Sequence, residues 1–198
     1  MTEKRGLYFL GGTIVDSGVL SRAQKYSNLV RGYLGDDCIR EKERHLTILP
    51  PFYTDYETAS MINYSCMAVS LLSSHPFNST LFSIKELEVM EFEGRGIVHF
   101  PVKVHENQSE RNFISFVKRM REKANEEGIS WRSPLPPDFT PHITVADIGD
   151  INKKEKINRI IRKSRGESLL IFRLVYPTLY AKYGSNWDTL HRDPTFKE

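Results

Sequence analysis

The chain is poor in cysteine, with Cys38 and Cys66 alone in 198 residues. Their spacing fits neither a zinc knuckle nor a redox pair, so a disulfide scaffold is excluded and both read as reduced thiols. Long apolar runs are missing too. Nothing approaches the roughly 20 residues that cross a bilayer, so no membrane partner is expected. Gly6-Leu7-Tyr8-Phe9-Leu10, after the charged start, is too short for a signal-peptide core. Charge of one sign is also scarce. The net charge is +3, and basic residues alternate with acids, as in Arg40-Glu41-Lys42-Glu43-Arg44. Such a surface tolerates a phosphate-bearing ligand but offers no long basic stripe for tracking nucleic acid. The expectation is a soluble, cytoplasmic, monomeric protein, long enough to bury a core without staples.

What is present is a repeated order of elements. Leu7 to Val15 reads as a strand, with Gly11-Gly12 marking a bulge or a close backbone approach. Asp16-Ser17-Gly18 reads as a turn, and Val19, Ala23, Tyr26, Val30 and Tyr33 recur at helical spacing up to Gly35. After a charged loop over 36–44, a strand begins at His45 and is expected to end at Pro50-Pro51. Thr54-Asp55-Tyr56-Glu57 reads as a capping box for a helix with Ile62, Cys66, Val69 and Leu72 on one face. Strand-like runs over 81–92 lead to a hairpin turn at Gly94-Arg95-Gly96.

The second half repeats the pattern: one strand over 97–104, then a helix capped by Ser109 with Phe113, Phe116, Val117, Met120 and Ala124 inward and Gly128 at its end. A proline-rich loop over 130–141 and a strand from His142 follow. Next come a basic helix capped by Asp150 with Ile157, Ile160 and Ile161 inward, one long strand over 168–180, and a polar tail from Lys182. Helices outside largely antiparallel sheets make this an α+β fold.

Two stretches carry the chemistry: His45-Leu46-Thr47-Ile48 and His142-Ile143-Thr144-Val145. In a strand, residues i and i+2 share a face. His45 and Thr47 therefore project together, as do His142 and Thr144, with aliphatics behind. One such set means little; two, each near the centre of its half, point to a polar cleft between facing strands. An imidazole titrates near pH ~6.5, so one can be neutral and the other protonated near neutrality. That is the requirement for concerted general base and general acid catalysis, with threonine hydroxyls on the charged oxygens. A phosphodiester fits this arrangement better than an acyl substrate, since no serine or cysteine nucleophile motif accompanies it. A metal held by His45, His142 and Asp147 ranks lower, because threonine is a poor zinc ligand. His75, His99, His105 and His191 read as surface or satisfied histidines. Phe52, Tyr53, Trp131, Tyr183 and Trp187 are candidates to stack a nucleobase, and Arg44, Arg132 and Lys182 to meet further phosphates.

The paired motifs resemble the signature of the two-histidine (2H) phosphoesterase superfamily: His-x-Thr/Ser followed by a hydrophobic residue, twice. That group includes LigT-like RNA 2′,5′-ligase/cyclic phosphodiesterases, 2′,5′-oligoadenylate phosphodiesterases and phage nucleases that cut cyclic-nucleotide signals. The resemblance implies one bilobal domain over 1–198, with two pseudo-symmetric lobes of antiparallel sheet, outer helices and a central cleft. The lobes are expected to halve the chain, near 1–95 and 96–198. It implies His45 and His142 as the acid/base pair, Thr47 and Thr144 as phosphate ligands, and no metal or cofactor. The implied substrate is a nucleotide, a short RNA or a cyclic oligonucleotide. A non-catalytic nucleotide-binding module and an RNA 2′,5′-ligase are the alternatives.

Overall fold

The computed structural model describes residues 5–35, 38–40, 45–70, 80–92, 95–105, 107–133, 140–149, 154–183 and 186–190. Helix α1 (Ser17–Leu34) buries the apolar stripe the spacing predicts, with Val19, Ala23, Tyr26 and Val30 inside. Asp16 ends the turn and begins the helix, because its carboxylate accepts the Val19 N–H at 2.9 Å. Gly35 closes it at φ 62°, a left-handed value a Cβ would oppose. In α2 (Tyr56–Ser70) the cap is Asp55, not Thr54: its carboxylate accepts both the Thr58 N–H and the Thr58 hydroxyl at 2.8 Å. Helix α3 starts at Asn107, before Ser109, and runs to Glu126 with its five expected residues buried. Helix α4 (Lys154–Ser164) buries Ile157 and Ile160. Asp150, His75, His191, Leu72 and Arg44 lie outside the described residues.

The strands depart from the sequence reading in several places. β1 (Gly6–Ile14) is as expected, and β2 (Cys38–Arg40) is a short addition. β3 (His45–Thr54) runs straight through Pro50-Pro51. Tyr8 pairs with Phe52 and Leu10 with Leu49, so the two prolines bulge opposite Phe9 alone. On its other side Pro51 uses its carbonyl, accepting the Arg132 N–H at 2.9 Å, so the missing proline N–H groups cost little. β4 (Leu81–Ile84) and β5 (Glu88–Phe92) precede β6 (Arg95–Pro101). Phe92 pairs with Arg95, which puts Arg95 and Gly96 inside the strand rather than in a turn. The strand over 97–104 is in fact β6 and β7 (Lys103–His105), separated at Val102, whose N–H goes to the Pro141 carbonyl. The strand over 168–180 divides likewise into β10 (Leu170–Phe172) and β11 (Leu174–Tyr183). β8 (Ser130–Trp131), β9 (His142–Ile148) and β12 (Asn186–Thr189) complete the set.

All pairings are antiparallel, in two sheets. The larger has the order β12-β11-β1-β3-β9-β6-β5, with β2 on β9 and β8 on β3; the smaller is β10-β4-β7. The order interleaves the chain: β11, with β12 beyond it, pairs with β1, and β9 lies between β3 and β6, so strands from 1–95 and 96–198 neighbour one another. Each strand of the small sheet is close in the chain to a strand of the large one: β10 leads into β11 on one flank, and on the other β4 leads through 85–87 into β5 and β6 leads into β7. One core cluster unites buried residues of all four described helices with one face of the large sheet. Tyr26 of α1 meets Phe100 of β6 edge-on at 5.9 Å, and Phe113 of α3 meets Phe82 of β4 at 5.0 Å. Among the described residues no helix is long and apolar enough to cross a membrane. Cys66 is fully buried, and burial pushes its thiol up to about 12, which leaves it chemically inert.

Candidate active site

β3 and β9 touch at one registered pair, Leu46 opposite Ile143, both fully buried on the core face. The residues on either side of that pair must face the other way. Continuing the register by one residue each way sets His45 across from Thr144 and Thr47 across from His142. All four are half-buried and share the open face of the sheet.

On the β3 side, His45 lies over β1 at a place with no side chain. A Cβ on Gly11 would stand 3.0 Å from His45 Cβ and 3.1 Å from its Cγ and Cδ2. The ring leans on Phe9 at 4.5 Å, and Phe9 stacks on Tyr180 at 4.5 Å and 10°. Trp187 meets Phe9 edge-on at 4.8 Å. Thr13, paired with His45 across the strands, shares a 2.7 Å hydroxyl hydrogen bond with Thr178.

On the β9 side, His142 Nδ1 lies 3.0 Å from the Thr140 carbonyl. A carbonyl only accepts, so the ring proton sits on Nδ1 and Nε2 keeps its lone pair. Burial holds this imidazole below the usual histidine range, against the pull of the Thr140 bond. Beside it is His99, paired with Thr144 through β6, with the two rings 5.3 Å apart at 69°. His99 is 5% exposed. Burial, then the neighbouring His142, depress it to about 4, while its contact with the Ile97 carbonyl works the other way.

No family model matches the chain, and neither does any curated protein. Solved structures do. The phosphodiesterase (PDE) domain of MHV ns2 superposes with a TM-score of 0.52 at 15% identity over 89% of this chain and 99% of that one. A structure described as a phosphoesterase gives 0.52 at 14%, covering 94% of each chain. The protein TT0787 of Thermus thermophilus gives 0.55 at 15%, over 94% of this chain and 96% of that one. The chain shares the α+β fold of these structures.

Within this fold, the structure gathers some expected residues and disperses others. Trp187 and Lys182 pair with each other beside the His45 wall, on the face that carries Tyr180. Trp131 does not join them. It pairs with Phe52 on the core face, meets its ring at 5.9 Å, and gives its indole N–H to Asn125 at 2.7 Å. Phe52 itself is fully buried. Tyr183 sits one residue out of phase with Lys182 and packs against the core. Tyr53 is exposed but lies six residues along β3 from Thr47, about 20 Å of strand. Arg132 is exposed beside Trp131. Among the described residues no three His, Cys, Asp or Glu side chains form a metal-holding group. Asp147 is engaged by Arg95 in an ion pair. Residues missed from sequence are Phe9, Tyr180 and His99, while the close approach read at Gly11-Gly12 is that of His45. His99 did carry a signal: it alternates with buried Val98 and Phe100, as the motif histidines do with their aliphatics.

Proposed function

We propose that the protein is a phosphodiesterase acting on a nucleotide phosphodiester, a 2′,3′-cyclic phosphate or a short or cyclic oligonucleotide, by acid/base catalysis without a metal. The single observation that carries this is the Leu46–Ile143 pair, which brings both His-x-Thr sets onto one face with each histidine opposite the other motif's threonine. His142, with Nε2 unprotonated and its charged form disfavoured by burial, is the general base. It takes a proton from water as the water oxygen attacks phosphorus. His45, entering as imidazolium, gives its proton to the leaving oxygen as the P–O bond breaks. Thr47 and Thr144 donate to the non-bridging oxygens, whose charge rises in the transition state. Trp187, half-buried over the buried Phe9 and Tyr180 beside His45, supplies a face for a nucleobase.

The test is a panel of phosphodiesters incubated in EDTA and read by mass spectrometry. His45→Ala and His142→Ala should each lower the rate by about 10²–10⁴, and the double variant little further, since the two act as a unit. Near-normal turnover in either variant, or chelator inhibition reversed by zinc, overturns the reading.

A further inference from the structure

Alternation carries the open face of the large sheet onto the small one. Phe100 and Val102 are buried, so His99, Pro101 and Lys103 share the opposite side across the β6–β7 junction. Phe82 and Ile84 of β4, and Leu87 just before β5, point into the core; alternation puts Ser83, itself 2% exposed, and Glu88 on that side too. Registers tie these residues to the motif: Pro101 pairs with His142, Glu88 with His99, and Ser83 with Lys103. Here a pocket of about 260 Å³ opens, lined by Ser83, Lys85, Glu86, Glu88, Pro101 and Lys103 among others. It begins one strand away from His142.

The lining has a definite chemistry. Two ammonium groups and a hydroxyl suit a phosphate, and two carboxylates suit sugar hydroxyls. Among the described lining residues, which include the apolar Leu169, none is aromatic, so none of them offers a ring for a base. Lys103 makes no ion pair among the described residues, and Lys85 is tied only to Glu86, both largely exposed, in a pair worth little. The volume equals about nine waters at about 30 Å³ each, room for a sugar and a phosphate. Lys103 stands two residues beyond Pro101, about 7 Å along the strand, roughly the reach of one nucleotide from the bond at His142.

We propose that this pocket is a second substrate subsite, taking the phosphorylated sugar next to the scissile bond, so that the preferred substrate is an oligonucleotide rather than a lone nucleoside 2′,3′-cyclic phosphate. This rests on the reading of the motif cleft as a phosphodiester site. The base stacks beside His45, the scissile phosphate sits between the threonines, and the next phosphate meets Lys103 and Lys85.

The experiment compares a nucleoside 2′,3′-cyclic phosphate with di- and trinucleotides of the same base, extended on the 5′ or the 3′ side, using wild type, Lys103→Ala and Lys85→Ala/Lys103→Ala. Wild type should favour one extended series in kcat/KM. Lys103→Ala should lose about five- to tenfold on that series through KM, more in the double variant, and nothing on the cyclic mononucleotide. The slope of log KM against log salt for that series should fall by about one on removing Lys103. Equal losses on all substrates, or none, overturn the subsite. Failure of wild type to turn over any of them instead overturns the phosphodiesterase reading on which the subsite stands.

Discussion

Gly11→Ala is a sharp probe of the site because it adds one carbon where His45 already lies. Gly11 has an extended backbone, so alanine meets no conformational barrier; positive φ among the described glycines occurs at Gly35 and Gly128. The new Cβ stands 3.0–3.1 Å from three carbons of His45. Carbon contacts settle at about 3.5–4.0 Å, so ring and strand must part by about half an ångström. The ring cannot yield toward β1's neighbour, because Phe9 at 4.5 Å and Tyr180 at 5.4 Å back it. Misplacing a catalytic group by 1 Å costs about 100-fold, so half that displacement costs about tenfold in kcat. Stability should fall by only about 1 kcal/mol, overpacking being partly offset by the stiffer unfolded chain. Gly32→Ala is the control: nothing lies within 4 Å of its Cβ in helix α1, so it should stabilise by about 0.5–1 kcal/mol and leave kcat unchanged. The assay is steady-state turnover beside urea midpoints. Wild-type kcat in Gly11→Ala refutes the placement of His45.

Stability should also depend on pH through His99. Above about pH 6.5 it is neutral folded and unfolded, and its contribution is fully present; as pH falls toward about 4, the unfolded chain takes a proton that the native state refuses, at a cost of about 3 kcal/mol. His142 is shifted the same way and Glu88 of β5 pairs with His99, so His99→Phe should flatten most but not all of the loss between urea midpoints at pH 7.5 and 4.5. Glu167→Gln should destabilise by about 1–3 kcal/mol in thermal melts, because the carboxylate accepts from Lys25 and the Tyr26 hydroxyl and faces the nearly buried Arg22. Trp187→Ala should raise KM several-fold and barely change kcat, since stacking is equally strong in ground and transition states; a pure kcat loss would place Trp187 elsewhere in the cycle.

The motif pairs were legible in the sequence because alternation marks the face of a strand without any tertiary knowledge, and α3 was legible because five apolar residues recur at helical spacing. Phe9 was not, since Leu7-Tyr8-Phe9-Leu10 is apolar throughout and shows no preferred face. The packing of Trp131 was not legible, since its own segment is polar and what covers it, Phe52 and Asn125, comes from other elements. The junctions at Val102 and Arg173 left no trace because alternation runs unbroken across them, with Phe172 and Leu174 buried on either side of Arg173. A change of sheet is a change of partner, which composition does not record.

The meeting of β3 and β9 at one registered pair has a mechanical consequence. The two imidazoles ride on opposite sides of the least-stitched line in the large sheet, with Leu46–Ile143 as the rivet between two stiff plates. Splaying the plates would alter the gap between the histidines while leaving each His–Thr set intact. The small sheet, fed by β10 from one plate and by β4 and β7 from the other, acts as a strap across both. The gauge of the cleft is therefore held by residues such as Phe82 and Phe172, stacked at 5.7 Å in that strap, which are remote from the site in sequence.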